Sequence, residues 1–173
     1  MEMIRIRVRE ATKNDIVHID TAFSEMGWAK PEGYFAGLVE SAAAGDLCFL
    51  IAETDARQYA GHLKIVWRPA YAGFRDEGIP EIQDLNVLPR YRRRGVATRL
   101  MDAAEELIRG RCDRVGIGFG LYADYGAAQR MYVKRGYLPD GRGAMVAEKP
   151  VVPGGTVKID DELILYLIKE LEV

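Results

Sequence analysis

Apolar and charged residues alternate at the start of the chain, with Ile4, Ile6 and Val8 set against Arg5, Arg7 and Arg9. This period of two predicts a half-buried strand with one solvated face. Thr12, with Asp15 three residues on, has the spacing of a helix N-cap and predicts a helix over residues 13–24. Gly27 interrupts that pattern, Pro31 opens a second helix through about residue 43, and Gly45 with Asp46 turns the chain into the apolar run 47–52, a buried strand. Residues 59–67 continue as another strand, in which Gly61 marks a bulge or a close approach of another backbone. The connection 68–80 is punctuated by glycine and proline, yet its aromatic residues are unusual for a plain loop.

Ile82, Leu85 and Val87 make 82–87 the central strand, and Pro89, which lacks a backbone donor, stops it. Beyond it Val96, Leu100, Met101, Ala103, Ala104, Leu107 and Ile108 form an apolar stripe on a helix over 95–109. Strand 115–119 is weakened by Gly116 and Gly118, with Gly120 just beyond, so something has to approach its backbone closely. A helix over 126–135 ends at Gly136, a left-handed C-cap; extended chain resumes at Tyr137, and 163–168 is a final strand. The stretch 150–155 is a loop. With 173 residues and no repeat or linker, the expectation is one mixed α/β (α+β) domain spanning residues 1–173.

The formal net charge of −2 gives no global attraction to nucleic acid or to an anionic membrane, so any basic role is local. Cys48 and Cys112 lie far apart without CxxC spacing, which fits two reduced core thiols rather than a disulfide scaffold. The N-terminus is neither a signal peptide nor a membrane span, and the expected location is cytoplasmic. His18 and His62 have no metal-ligand spacing; both read as structural, and no metal is expected.

Gly95, followed by Val96, Ala97 and Thr98, lets the backbone N–H groups at a helix start approach an anion, and phosphate is the natural guest. By itself the run Arg90 to Arg94 reads as a solvated charge patch or a nucleic-acid contact; Pro89 before it and Gly95 after it favour phosphate. On the central strand, alternation puts Glu81 and Gln83 on one face and Asp84 on the other.

The segment VLPRYRRRGVA resembles the acyl-CoA-binding motif of the GNAT family of N-acetyltransferases, whose signature Q/RxxGxG/A is met by Arg92, Gly95 and Ala97. A second segment, AAQRMYVKRGY, is similar to the family's AxxxYxxxGF through Ala128, Tyr132, Gly136 and Tyr137. The resemblance is specific from about residue 81 to 137 and implies a twisted mixed sheet of about seven strands flanked by about four helices. Many members carry Asn three residues before the motif alanine, where this chain has Tyr125; Asp124 or the Tyr125 hydroxyl can take over that cofactor contact.

The resemblance implies an N-acetyltransferase that moves an acetyl group from acetyl-CoA to a primary amine, by direct attack in a ternary complex. Amides and side chains of Arg92, Arg93, Arg94, Gly95, Val96, Ala97 and Thr98 would hold the pyrophosphate. The pantetheine arm would insert between the strands 82–87 and 115–119 and pair with the backbone of Leu85, Asn86 and Val87. Glu81 stands where some members carry a glutamate base, with Asp84 as its competitor, and Tyr132 holds the family's general-acid position. Phe23, Trp28, Tyr34, Trp67, Tyr71 and Phe74 occur where the family builds its acceptor pocket. The expected partner is a small-molecule amine, with no nucleic acid and no membrane; dimers are common in the family, so a homodimer is compatible. A CoA-binding sensor or interaction module without chemistry is the alternative, and nucleic-acid binding through RYRRR is a third reading.

Overall fold

The computed structural model describes residues 5–28 and 30–172, so Ile4 of the first predicted strand lies outside the described residues. The chain forms two compact units. One runs up to Trp67 and includes Gln83–Leu107; the other is Arg68–Ile82 with the chain from Ile108 onward.

The first unit carries β1 (Ile6–Glu10), α1 (Ile16–Glu25), α2 (Tyr34–Ala44), β2 (Leu47–Thr54), β3 (Tyr59–Val66) and the greater part of β4 (Glu81–Val87). Its strands follow the order β1-β2-β3-β4, and β1 and β3 both run antiparallel to β2. Phe23 of α1, Phe35 of α2 and Phe49 of β2 are fully buried here, Phe23 and Phe35 meeting edge to face at 5.0 Å between ring centres. The register of β2 on β3 slips so that Ala52 faces Gly61 but Glu53 faces Tyr59. Such a bulge reverses the side-chain alternation beyond it. Gly61 has no room for a side chain, because a Cβ there would collide with the Asn86 carbonyl oxygen.

The second unit takes Glu81 and Ile82 of β4, then β5 (Arg114–Gly120), α5 (Gly126–Lys134), β6 (Leu138–Val146), β7 (Lys149–Pro150) and β8 (Leu163–Glu170), in the strand order β4-β5-β8-β6-β7. Parallel pairing of β4 and β5 is confined to Glu81↔Gly116 and Ile82↔Ile117, whereas β8 pairs antiparallel with β5 along all seven of its residues. The glycines of β5 are answered by rings. A Cβ on Gly116 would strike Phe74, one on Gly118 would meet Ile164 and Tyr166, and one on Gly120 would strike Tyr125. The aromatic residues of 68–80 are explained in the same way: Tyr71 precedes a short helix α3 (Ala72–Arg75) and, with Phe74, joins Ile79, Met145 and Tyr166 in a buried cluster. Helix α4 (Val96–Arg109) buries Val96, Leu100, Met101, Ala104 and Ile108, the predicted stripe.

The described residues therefore hold eight strands and five α-helices, against the about seven and about four that the family resemblance implies. The additions are α3, four residues long, and β7, two residues ending in Pro150; both are too short to show a hydrophobic period. Cys48 is buried as expected, but Cys112 is only partly so, because it lies in the turn between α4 and β5.

Arg9 ties the first strand to its neighbours, donating to Asp15 from both terminal nitrogens at 2.8 Å and to Glu53 at 2.8 Å. Asp15 also accepts from the Thr12 backbone N–H at 2.7 Å, completing the predicted N-terminal spacing. The Arg9 hydrogen bonds outweigh burial and hold the Asp15 carboxyl near pKa 2. A depressed carboxyl contributes stability that is present above its unfolded pKa, near 3.8, and lost as the pH falls through about 2. Asp15→Asn is expected to lower the unfolding free energy at pH 7 by about 1 kcal/mol and to flatten its fall over that acid range, in urea titrations at stepped pH. Gly116→Ala drives a methyl group into the Phe74 ring and should cost about 1–3 kcal/mol, read as a lower urea midpoint at unchanged slope.

Candidate functional site

In the first unit β4 does not run straight. Asp84 takes a left-handed backbone, φ +56°, in mid-strand, a conformation that costs a non-glycine residue about 1–3 kcal/mol unless its surroundings hold it. They do so through its carboxylate: Asn86 Nδ2 donates to Oδ1 at 2.7 Å, and the Tyr34 hydroxyl donates to Oδ2 at 3.0 Å. His62 Nε2 stands 3.4 Å from the same Oδ2. The strand alternation expected for Asp84 therefore fails locally, and its orientation is set by these partners.

Behind Asp84, His62 is fully buried and its Nδ1 lies 2.6 Å from the Tyr59 hydroxyl. Burial, with the Asp84 charge, raises the Tyr59 pKa well above that of a free phenol, so Tyr59 keeps its proton within hydrogen-bond distance of Nδ1 while Nε2 faces Asp84. The imidazole is wedged among rings, stacked on Phe23 at 5.4 Å and met edge-on by Phe35 and Phe49. Burial opposes ionisation of Asp84, but His62, Lys30 and Tyr34 outweigh it and hold the carboxyl far below its ordinary range. Asp84 is thus a carboxylate at every physiological pH. Nothing in the sequence pattern pairs Tyr59 with His62, since residues three apart on a regular strand face opposite sides; the bulge brings them together.

The chain leaves Asp84 through Leu85, Asn86 and Val87, all half-buried, and Leu88 N–H then bonds to the Ala60 carbonyl at 3.0 Å. A turn over Pro89–Tyr91 follows, fixed by the Tyr91 hydroxyl on Gln58 at 2.8 Å. Arg92 returns to the Val87 carbonyl at 3.2 Å and lies over the Trp28 ring, 5.7 Å from its centre. Arg93 at φ +59° and Gly95 at φ +79° bend the backbone into α4. Space beside Gly95 is open, with nothing within 4 Å of a Cβ. The first helical hydrogen bond there is Arg99 N–H to the Gly95 carbonyl, so the preceding amides of Val96, Ala97 and Thr98 have no intrahelical acceptor. Arg92, Arg93, Arg94 and Thr98 are exposed; Ala97 is half-buried and Val96 buried.

The second unit holds the other candidates. Glu81 is buried at the head of β4, paired with Gly116, and with burial it raises the pKa of Tyr166 above that of a free phenol. Tyr132 is buried on α5 against Phe119 and Tyr137, and burial pushes its pKa up to about 12, so it keeps its proton at neutral pH. Tyr125 covers Gly120 and donates to Asp161 at 2.9 Å, sharing that oxygen with Tyr122. Asp124 is exposed and Ala128 half-buried. Tyr71 and Phe74 belong to the core of this unit, while Phe23, Trp28 and Tyr34 lie in the first.

A sequence model of the acetyltransferase (GNAT) family matches residues 13–137, more than half of the chain. The chain belongs to the GNAT family of acetyltransferases. It is an acyltransferase of the acetyl-CoA-dependent class to which that family belongs. No curated protein sequence matches it. Among solved structures, YncA of Salmonella typhimurium, determined with its cofactor acetyl-CoA, is 16% identical with TM-score 0.67 over 96% of this chain and 94% of its own. A GNAT acetyltransferase of Staphylococcus aureus Mu50 is 14% identical, TM-score 0.65, over 97% and 100%. A spermidine N-acetyltransferase chimera of Vibrio cholerae SpeG and hSSAT is 13% identical, TM-score 0.66, over 95% of each chain. At these identities the likeness is one of fold. Among the described residues of this GNAT protein, no helix is long and apolar enough to cross a membrane.

Tyr59→Phe leaves the buried His62 Nδ1 without its hydrogen-bond partner and is expected to cost about 1–3 kcal/mol in urea unfolding; a cost below that range would mean that this hydrogen bond does not hold the imidazole.

Proposed function

We propose that this GNAT protein transfers an acetyl group from acetyl-CoA to the primary amine of a small molecule by direct attack in a ternary complex. The observation that supports it most is the start of α4, where left-handed Gly95 leaves open space beside amides that lack helical acceptors. Those amides, the helix dipole and the exposed Arg92, Arg93 and Arg94 suit a pyrophosphate. Leu85, Asn86 and Val87 would then pair with the pantetheine amides, and Ala128 and Tyr125 on and beside α5 complete the proposed cofactor set.

In the reaction the amine nitrogen bonds to the thioester carbonyl carbon, the C–S bond breaks, and the nitrogen gives up a proton. Glu81 is the proposed base, directly or through one water. A free amine has a pKa of about 10 and is mostly ammonium at neutral pH, so a base is needed. Tyr132, still protonated at neutral pH, would supply the proton to the departing thiolate and recover it from solvent.

Calorimetry with acetyl-CoA should show saturable binding, and an amine panel should release free thiol. Absence of binding overturns the proposal; tight binding with no thiol release from any amine favours the sensor reading. Gly95→Val is expected to weaken acetyl-CoA binding at least about ten-fold, through backbone strain and loss of the open approach. Tyr132→Phe should lower turnover by about 10²-fold while acetyl-CoA affinity stays within about two-fold; unchanged turnover removes the general-acid role.

A further inference from the structure

The charge pattern around Asp84 bears on which amine the first unit would accept. Two lysines flank the ring whose hydroxyl holds Asp84: Lys30 Nζ lies 5.3 Å and Lys64 Nζ 6.0 Å from the centre of Tyr34. Neither ammonium group pairs with a carboxylate within 4 Å among the described residues. Arg92 adds a third cation over Trp28, whose ring meets Phe23, the residue stacked on His62. Of these cations Lys30 acts on the Asp84 charge directly, and Lys64 shares the Tyr34 ring with it. An acceptor bearing only positive charge would gain at Asp84 but lose at Lys30 and Lys64, whereas one that also carries an anion can gain at both.

Chain order gives this cluster its place. If the amides at 95–98 hold the pyrophosphate and Val87 to Leu85 hold the pantetheine, Asp84 is the next residue away from the phosphates, at the thioester end. Its strained backbone, at φ +56°, aims a carboxylate whose position Tyr34, Asn86 and the Tyr59–His62 pair fix from behind. A carboxylate held by so many donors and still partly exposed, 16% at the side chain, is suited to orienting one more N–H group.

We propose that the acceptor is a small molecule carrying an anionic group, carboxylate or phosphate, besides its reacting amine. Asp84 orients the amine, Lys30 and Lys64 take the anion across the Tyr34 ring, and His62 with Tyr59 are positioning residues for Asp84. The proposal rests on the acetyl-CoA-dependent reading above and narrows it to acceptors that carry a negative charge besides the amine, which a polyamine lacks.

The test compares acceptors that differ in the anionic group alone: phenylalanine against phenethylamine, lysine against cadaverine, and glucosamine 6-phosphate against glucosamine, with spermidine as the polycation. Each is titrated calorimetrically into CoA-saturated protein and assayed for thiol release from acetyl-CoA. At least one anionic compound should bind and react roughly ten-fold better than its partner, the carboxylate and phosphate pairs telling which anion is read. Lys64→Met should abolish that preference, and Asp84→Asn should depress use of every acceptor, both with acetyl-CoA affinity retained. Preference for spermidine, equal use within every pair, or no binding by any anionic compound overturns the proposal while leaving the transferase reading intact. Failure to bind acetyl-CoA at all overturns that reading, and this inference with it.

Discussion

The carboxylate of Asp84 and the groups that hold it are the constraint on which the first unit depends. A left-handed residue in the middle of a strand is unfavourable by itself, and it persists here because Asn86, Tyr34 and His62 converge on two oxygens. That convergence reaches back into the core. His62 is fixed by Tyr59 and by the rings of Phe23, Phe35 and Phe49, so the position of a partly exposed carboxylate is set by fully buried aromatic packing. Because interiors are close-packed, a shift of any of these rings would be felt at Asp84.

The glycines show how closely backbone and ring contacts are used. At Gly61 the absence of a side chain admits the Asn86 carbonyl, which belongs to the stretch proposed to face the pantetheine. At Gly95 there is no neighbour at all, and the glycine serves the turn into α4 and leaves its amides accessible. In the second unit the three glycines of β5 instead make flat seats for Phe74, Tyr166 and Tyr125. Glycine thus has three different physical roles here: backbone approach, an open left-handed turn and ring packing.

Membership of the GNAT family accounts for the acyl donor, whereas the proposed choice of acceptor rests on side chains outside the two motifs. Tyr34, Lys30, Lys64, His62 and Tyr59 all lie before β4, in a part of the chain where no acyl-CoA motif falls. The proposed recognition sets the Asp84 carboxylate beside Lys30 and Lys64, whose fields an incoming substrate would sense before contact. A site of this kind discriminates by repulsion as much as by attraction.

The sequence by itself determined the elements with a clear period or a clear stop: the alternation of β1, the stripe of α4, the turns at Gly45 and Gly136, and the strand ended by Pro89. It also determined the family, because Arg92, Gly95, Ala97, Ala128 and Tyr132 lie within short spans whose spacing reflects local backbone geometry. Gly61 signalled a bulge or a close approach in β3, but only the tertiary structure decided the register of that bulge, that Asp84 turns left-handed, that Tyr125 is engaged by Asp161, and that Tyr34, Asn86 and His62, with Tyr59 behind it, meet at one carboxylate. Period and propensity are properties of neighbours along the chain. A register slip and a strained φ are instead held by partners up to 50 residues away, Tyr34 on Asp84 among them, and no local pattern carries that information.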